Sequence, residues 1–288
     1  MKPRFEIITS SHIGYCFGVK RAMNLVENHL KNKREKLYII GQIIHNPQAV
    51  DKLNRMGAVT VESINQVEDG ATLVIRAHGV QPEIISEAKK RGIKLLDATC
   101  PFVHRSQLYV KEIGESSFDV IIIGDKEHPE VKGLEGHAKG RSFVVRNVEE
   151  ARLIKGISKA GIVVQTTFAP EEAKRIIEEL KKQIEHISIY DTICQATVAR
   201  REATLELGRS VDLMIIVGGK NSSNTRRLFK MCMDAGINSR FIERADEIDP
   251  SWTEGIKRVG ISTGTSTPNW VIAEVIEHLR QIALKEVM

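Results

Sequence analysis

The sequence predicts an α/β protein built from three similar α/β subdomains in a pseudo-threefold arrangement, and three observations carry that prediction. Apolar runs of strand length alternate with helical periodicity along the whole chain, the pattern of largely parallel sheets. Three of the four cysteines divide the 288 residues into near-equal thirds, Cys100 lying 84 residues after Cys16 and Cys194 a further 94 residues on. Each of the three follows a short apolar run and precedes a helical pattern, and the D-x-x-C of Asp97-Ala98-Thr99-Cys100 returns at Asp191-Thr192-Ile193-Cys194. The lobes then run over residues 15–100, 101–194 and 195–288, with an N-terminal strand within residues 1–14 joining the third. No Pro/Ser-rich linker separates them. Parallel sheets bind ligands beyond the carboxyl ends of their strands, so polar residues at strand exits are the first functional candidates.

Taken in order, Phe5 to Ile8 reads as a strand, and a polar loop carries the chain to Cys16. Val19, Ala22, Met23, Val26 and Leu30 keep the i, i+3, i+4, i+7 spacing of one buried helical face. Leu37-Tyr38-Ile39-Ile40 completes a βαβ unit. Gln42-Ile43-Ile44 reads as a further strand delivering His45-Asn46-Pro47, and after a helical stretch Leu73-Val74-Ile75 delivers Arg76-Ala77-His78-Gly79. Leu95-Leu96 stops at Asp97 and hands Cys100 to Pro101, a residue suited to a first helical position. In the middle third Val120-Ile121-Ile122-Ile123 leads to His128-Pro129-Glu130, Ile162-Val163-Val164 leads to Gln165-Thr166-Thr167, and Ile187-Ser188-Ile189-Tyr190 leads to Cys194. In the last third Leu213-Met214-Ile215-Ile216-Val217 opens into a loop holding Lys220, Ser222, Ser223 and Asn224, and Val259-Gly260-Ile261 opens into one holding Ser266; both loops precede helices. The fourth cysteine, Cys232, shares a helical face with Leu228 and reads as core.

A composition of 42% hydrophobic and 27% charged residues is that of an ordinary soluble protein. No apolar run reaches the ~20 residues of a membrane span, and Met1-Lys2-Pro3-Arg4-Phe5-Glu6 leads into no signal-peptide apolar region, so a cytoplasmic protein without a membrane partner is expected. Reducing conditions there disfavour disulfides and give scattered cysteines a metal-binding or catalytic reading. The net charge of +5 comes from 42 basic and 37 acidic residues without a clustered basic stripe; it suits a small anionic ligand and gives no support to nucleic acid.

Isolated cysteines are commonly small buried hydrophobes. Three in matching contexts at helix starts, where the dipole favours thiolate, point instead to zinc or an iron-sulfur cluster. Structural zinc commonly uses paired C-x-x-C ligands, absent here. A [4Fe-4S] cluster on three cysteines keeps one iron open. The Gly/Ser loops match neither G-x-x-x-x-G-K-[ST] nor G-x-G-x-x-G, so no nucleotide is indicated. Ser and Asn there are also ordinary helix caps, yet with Ser266, His45 and His78 at other strand exits they suit a phosphate-bearing ligand. His45, His78, His128 and Glu130 also have the donor types of a zinc or iron hydrolase, and Glu130, if buried, can act as an acid.

The motif set resembles a known family. Gly14 to Ala22 (GYCFGVKRA), His45-Asn46-Pro47, Ala77-His78-Gly79, Asp97 to Pro101 (DATCP), His128-Pro129-Glu130-Val131, Gln165-Thr166-Thr167, Asp191 to Cys194 (DTIC), Lys220 to Asn224 (KNSSN) and Thr263 to Pro268 (TGTSTP) are similar to the 4-hydroxy-3-methylbut-2-enyl diphosphate reductase family, which closes the methylerythritol phosphate (non-mevalonate) route to isoprenoids. Tyr15, Gln195, Thr263 and Thr265 depart from the usual pattern, and none of them is a residue assigned to the chemistry. The resemblance covers essentially the whole chain. It implies three lobes around a central [4Fe-4S] cluster held by Cys16, Cys100 and Cys194, with one open iron for the substrate hydroxyl. It also implies diphosphate binding by His45, His78, Ser222, Asn224 and Ser266, with His128 and Ser223 close by. Thr166 then orients the hydroxyl and Glu130 supplies protons. An allylic diphosphate is the implied substrate, isopentenyl and dimethylallyl diphosphate the products, and a separate ferredoxin or flavodoxin the electron donor.

Overall fold

A computed structural model describes residues 3–32 and 35–284. The ends of the expected lobes at residues 1–2 and 285–288, and with them part of the N-terminal leader reading, lie outside the described residues.

Twelve strands, β1 (Glu6–Thr9), β2 (Leu37–Ile40), β3 (Ala58–Val61), β4 (Thr72–Ile75), β5 (Lys94–Asp97), β6 (Asp119–Ile123), β7 (Ser142–Val145), β8 (Lys159–Val164), β9 (His186–Ile189), β10 (Leu213–Val217), β11 (Ser239–Ile242) and β12 (Arg258–Thr263), form three four-stranded sheets among the described residues. Ten α-helices connect them: α1 (Phe17–Asn32), α2 (Pro47–Arg55), α3 (Pro82–Lys90), α4 (Pro101–Glu115), α5 (Pro129–His137), α6 (Val148–Leu153), α7 (Pro170–Leu180), α8 (Gln195–Gly208), α9 (Ser223–Asp234) and α10 (Asn269–Leu284). The orders are β3-β2-β4-β5, β7-β6-β8-β9 and β11-β10-β12-β1, and every pairing is parallel. One scheme is therefore used three times, with the N-terminal strand β1 filling the fourth place of the last sheet.

By contacts the chain forms two compact units. One takes its described residues from Met1–Phe17, His45–Ala49 and Gln195–Met288; the other takes them from Gly18–Ile44 and Val50–Cys194. In the first unit, Leu213, Ile215, Val217, Val259 and Ile261 face a core closed by Val271, Val275 and Leu279 of α10, while Met214 and Ile216 face Leu228 and Cys232 of α9. In the second, Ile121, Ile123, Ile162 and Val164 pack on one side of their sheet against α7, and Val120, Ile122 and Val163 on the other against α4 and α5. Alternate residues bury on opposite faces, which is why these strands read as continuous apolar runs.

One expectation changes. Gln42, Ile43 and Ile44 form no strand. Gly41 sits at a φ of 63°, a left-handed conformation that ends β2, and the chain then bends irregularly to His45. Among the described residues no helix is long and apolar enough to cross a membrane.

Candidate active site

The three cysteines occupy one topological position. Cys16 follows β1, Cys100 follows β5 and Cys194 follows β9, each strand being the same outer member of its sheet, and each cysteine immediately precedes a helix, α1, α4 or α8. Their backbones are tied down in the same way. Cys100 N–H donates to the Ala77 carbonyl at 2.9 Å, Cys194 N–H to the Thr166 carbonyl at 2.8 Å and Cys16 N–H to the Thr265 carbonyl at 3.1 Å. Ala77, Thr166 and Thr265 each lie two residues beyond the neighbouring strand, β4, β8 or β12. Each thiol is thereby registered to the loop beside it, and those loops carry His78, Thr166 and Ser266.

Local chemistry sharpens each turn. Asp97 Oδ1 accepts the Thr99 N–H at 2.8 Å, which explains the acid of the D-x-x-C at Cys100. Thr192 accepts from Val164 N–H at 2.8 Å and donates to the Val164 carbonyl at 2.6 Å, stapling the Cys194 turn to β8. Gly18 leaves room where a β-carbon would overlap the Cys100 sulfur. None of the cysteines forms a disulfide, and Cys16 and Cys100 are half-buried. Three thiols, each at a helix start beyond the outer strand of its own sheet, fit a thiolate-liganded iron-sulfur group in donor type. Cys232 differs: it is fully buried among apolar side chains, and burial pushes its thiol up to about 11.

The second unit also holds His78, His128, Glu130 and Thr166. Glu130, in the first turn of α5, is 1% exposed; its Oε1 accepts the Thr166 N–H at 2.7 Å and its Oε2 accepts the Thr166 hydroxyl at 2.9 Å. His128 caps the same helix, its Nδ1 accepting the Glu130 N–H at 3.2 Å. That role uses the Nδ1 lone pair, so the neutral ring carries its proton on Nε2. The His78 and His128 rings meet edge to face, centroids 5.4 Å apart.

The first unit holds Cys16, His45, Ser222, Ser223, Asn224 and Ser266. Ser222 caps α9 by accepting from Thr225 N–H at 3.3 Å, so the capping reading of this loop holds for that residue. Ser223 and Asn224 form the first turn and are buried, and Asn224 Nδ2 has no hydrogen-bond partner. A buried amide donor without an acceptor at a helix N-terminus is suited to an anion. Ser266 donates to the His45 carbonyl at 3.0 Å, joining the two loops. Lys220, by contrast, points to Glu247 at 2.6 Å on the surface.

Sequence reasoning missed Arg200. This residue of α8 is 4% exposed and donates to Thr263 O at 3.0 Å, Thr263 Oγ1 at 2.9 Å, Gly264 O at 3.4 Å and Gly14 O at 2.8 Å. Its signal in the sequence is a polar helical face: Thr197, Arg200 and Thr204 share the buried side of α8 with Leu207.

The family model described as LytB protein matches residues 7–280. The 4-hydroxy-3-methylbut-2-enyl diphosphate reductase of Geobacter metallireducens is 42% identical over 277 residues, covering 96% of this chain and 98% of that one. The enzyme of the same name from Aquifex aeolicus is 40% identical over 280 residues, 96% of each chain. Among solved structures, an (E)-4-hydroxy-3-methyl-but-2-enyl diphosphate reductase described as the terminal enzyme of the non-mevalonate pathway is 40% identical with a TM-score of 0.72, covering 96% of this chain and 99% of that one. The Plasmodium falciparum reductase is 30% identical with a TM-score of 0.90, covering 96% and 88%. With nearly its whole length matched by family model, relatives and structures alike, the chain belongs to the LytB protein family.

Proposed function

We propose that Cys16, Cys100 and Cys194 hold one [4Fe-4S] cluster in this chain, that His45, His78, Ser222, Asn224 and Ser266 bind the diphosphate of its substrate with His128 and Ser223 assisting, and that Thr166 and Glu130 handle the hydroxyl to be lost. The reaction is the one its relatives are named for. 4-Hydroxy-3-methylbut-2-enyl diphosphate takes up two electrons and two protons: one proton leaves with the hydroxyl as water, and the other adds to either end of the remaining allyl unit, giving isopentenyl or dimethylallyl diphosphate. When bound, the cluster supplies those electrons and a Lewis-acidic iron with an open position.

The chain's own residues do the rest. Expelling hydroxide from carbon near neutral pH requires a proton on the departing oxygen. The single observation that carries this reading is the buried Glu130–Thr166 pair, in which one carboxylate takes both the N–H and the hydroxyl of Thr166. The Thr166 hydroxyl is both donor and acceptor, so it can pass a proton from Glu130 to a hydroxyl presented to it while orienting that hydroxyl. The Glu130 carboxyl is itself held by two hydrogen bonds from Thr166, so little reorganisation accompanies transfer. Burial of the pair excludes bulk water. For the diphosphate, the amides at the start of α9 and the Asn224 amide group offer N–H donors, the hydroxyls of Ser222 and Ser223 can donate to phosphate oxygens, and that of Ser266 can do so on releasing the His45 carbonyl. His128, protonated at Nε2, offers one more.

The proposed electron donor is an external ferredoxin or flavodoxin, since no nicotinamide fingerprint occurs in the sequence, and the proposed location is the cytoplasm. Glu130→Gln keeps shape and polarity but removes the transferable proton. It is expected to retain iron, sulfide and substrate affinity while turnover falls roughly 10²–10⁴-fold. Wild-type turnover with an intact cluster overturns the role of Glu130.

A further inference from the structure

Arg200 is a buried cation without a carboxylate. All its acceptors are neutral oxygens, of Gly14, Thr263 and Gly264, and its Nε, also buried, has no hydrogen-bond partner. Burial brings the guanidinium down to about 10. A desolvated charge of this kind is costly unless a fixed anion faces it. The surrounding bonds show what it braces. Arg200 grips Gly14, two residues before Cys16, and the Thr263–Gly264 turn; Gly14 N–H donates to Thr263 Oγ1 at 2.9 Å, and Cys16 N–H to Thr265. The same loop runs on to Ser266.

We propose that Arg200 is a positioning residue that clamps the Cys16 turn to the Ser266 loop and serves as the fixed counter-charge of the thiolate-liganded cluster, making its reduction easier. Placing an electron on an anionic group adds negative charge, and a nearby cation held in low dielectric favours that step more than solvent does. Arginine suits the task because its planar fork satisfies several carbonyls at once and does not lose its proton near neutral pH.

The inference rests on Cys16 being a cluster ligand, and iron and sulfide analysis of wild-type and Cys16→Ser protein tests that reading separately. The test of Arg200 itself is an anaerobic redox titration of reconstituted wild-type, Arg200→Lys and Arg200→Gln enzyme, followed by electron paramagnetic resonance. Arg200→Gln, which keeps donors but not charge, is expected to have a lower midpoint potential than wild type, and Arg200→Lys a potential close to it. If Arg200→Gln fails to retain a cluster while Arg200→Lys retains one at the wild-type potential, the counter-charge role is again supported. Wild-type potentials in both variants overturn the proposal, and so does loss of the cluster in both, because charge then does not distinguish them and Arg200 serves folding alone.

Discussion

Asn224 and Cys232 show how two side chains of similar burial carry opposite meanings. Asn224 is 6% exposed at the start of α9 with its amide donor unmatched, whereas Cys232 is fully enclosed by Leu207, Met214, Ile216 and Leu228. Asn224→Ala is expected to weaken binding of inorganic diphosphate by about 1–3 kcal/mol, the cost of unpairing a buried polar group, measured by calorimetry on anaerobic enzyme. Unchanged affinity removes Asn224 from the site. For Cys232 the folded thiol is raised from 9.0 to about 11, so the neutral thiol contributes stability that is fully present below about pH 9 and lost as pH rises towards 11. Cys232→Ser is expected to remove that part of the alkaline loss in denaturant titrations at pH 8 and pH 11 while leaving iron and sulfide content unchanged. A drop in cluster content in this variant contradicts the core assignment. Of the site residues, the cysteines, histidines and Glu130 stood out in the sequence because their types are chemically distinctive at strand exits. Arg200 did not, because a lone arginine in a charged helix looks like surface until Thr197 and Thr204 are seen on its buried face.

At the scale of the element, the strands that were hard to read share one cause. β3, β7 and β11 are the edge strands next to β2, β6 and β10, and they carry exposed or half-exposed residues such as Val59, Phe143 and Arg240 with few buried ones. The apolar run that announces a central strand is therefore missing. Gln42-Ile43-Ile44 misled in the other direction: Ile43 and Ile44 are buried, but Gly41 turns the chain out of the sheet first. Helix α1 supplies an element-level prediction. Its apolar face behaves as the spacing requires, with Ala22, Met23 and Val26 buried, yet Gly18 beside the Cys100 thiol is there for space. Gly→Ala in a helix ordinarily stabilises by up to about 1 kcal/mol. Here Gly18→Ala is expected to displace the Cys100 sulfur and lower cluster occupancy, read as iron and sulfide per chain after anaerobic reconstitution. Full occupancy together with a raised melting temperature would show that the cradle is ordinary helix packing.

Among the described residues one arrangement occurs three times: a first inner strand, an edge strand beside it, a second inner strand, and an outer strand that leads through a turn to a cysteine. Much of this was legible because the D-x-x-C pair and the cysteine spacing mark the same turn in successive lobes. The N-terminal strand, expected to join the third lobe, is β1, which pairs with β12 and so brings the two ends of the chain together. Function follows the repeat. The strand exits bear thiols from the outer strands, while the exits of inner strands bear the hydrogen-bonded Glu130–Thr166 pair, to which proton transfer is proposed, and the donors at the start of α9. The measurement that bears most directly on this account is anaerobic iron and sulfide analysis of the wild type and of Cys16→Ser, Cys100→Ser and Cys194→Ser, with turnover of 4-hydroxy-3-methylbut-2-enyl diphosphate assayed on the same samples. The account predicts a [4Fe-4S] stoichiometry and formation of both five-carbon diphosphates in the wild type, with cluster and activity impaired in each variant. A colourless, zinc-loaded wild type, or normal cluster and turnover in all three variants, would contradict it.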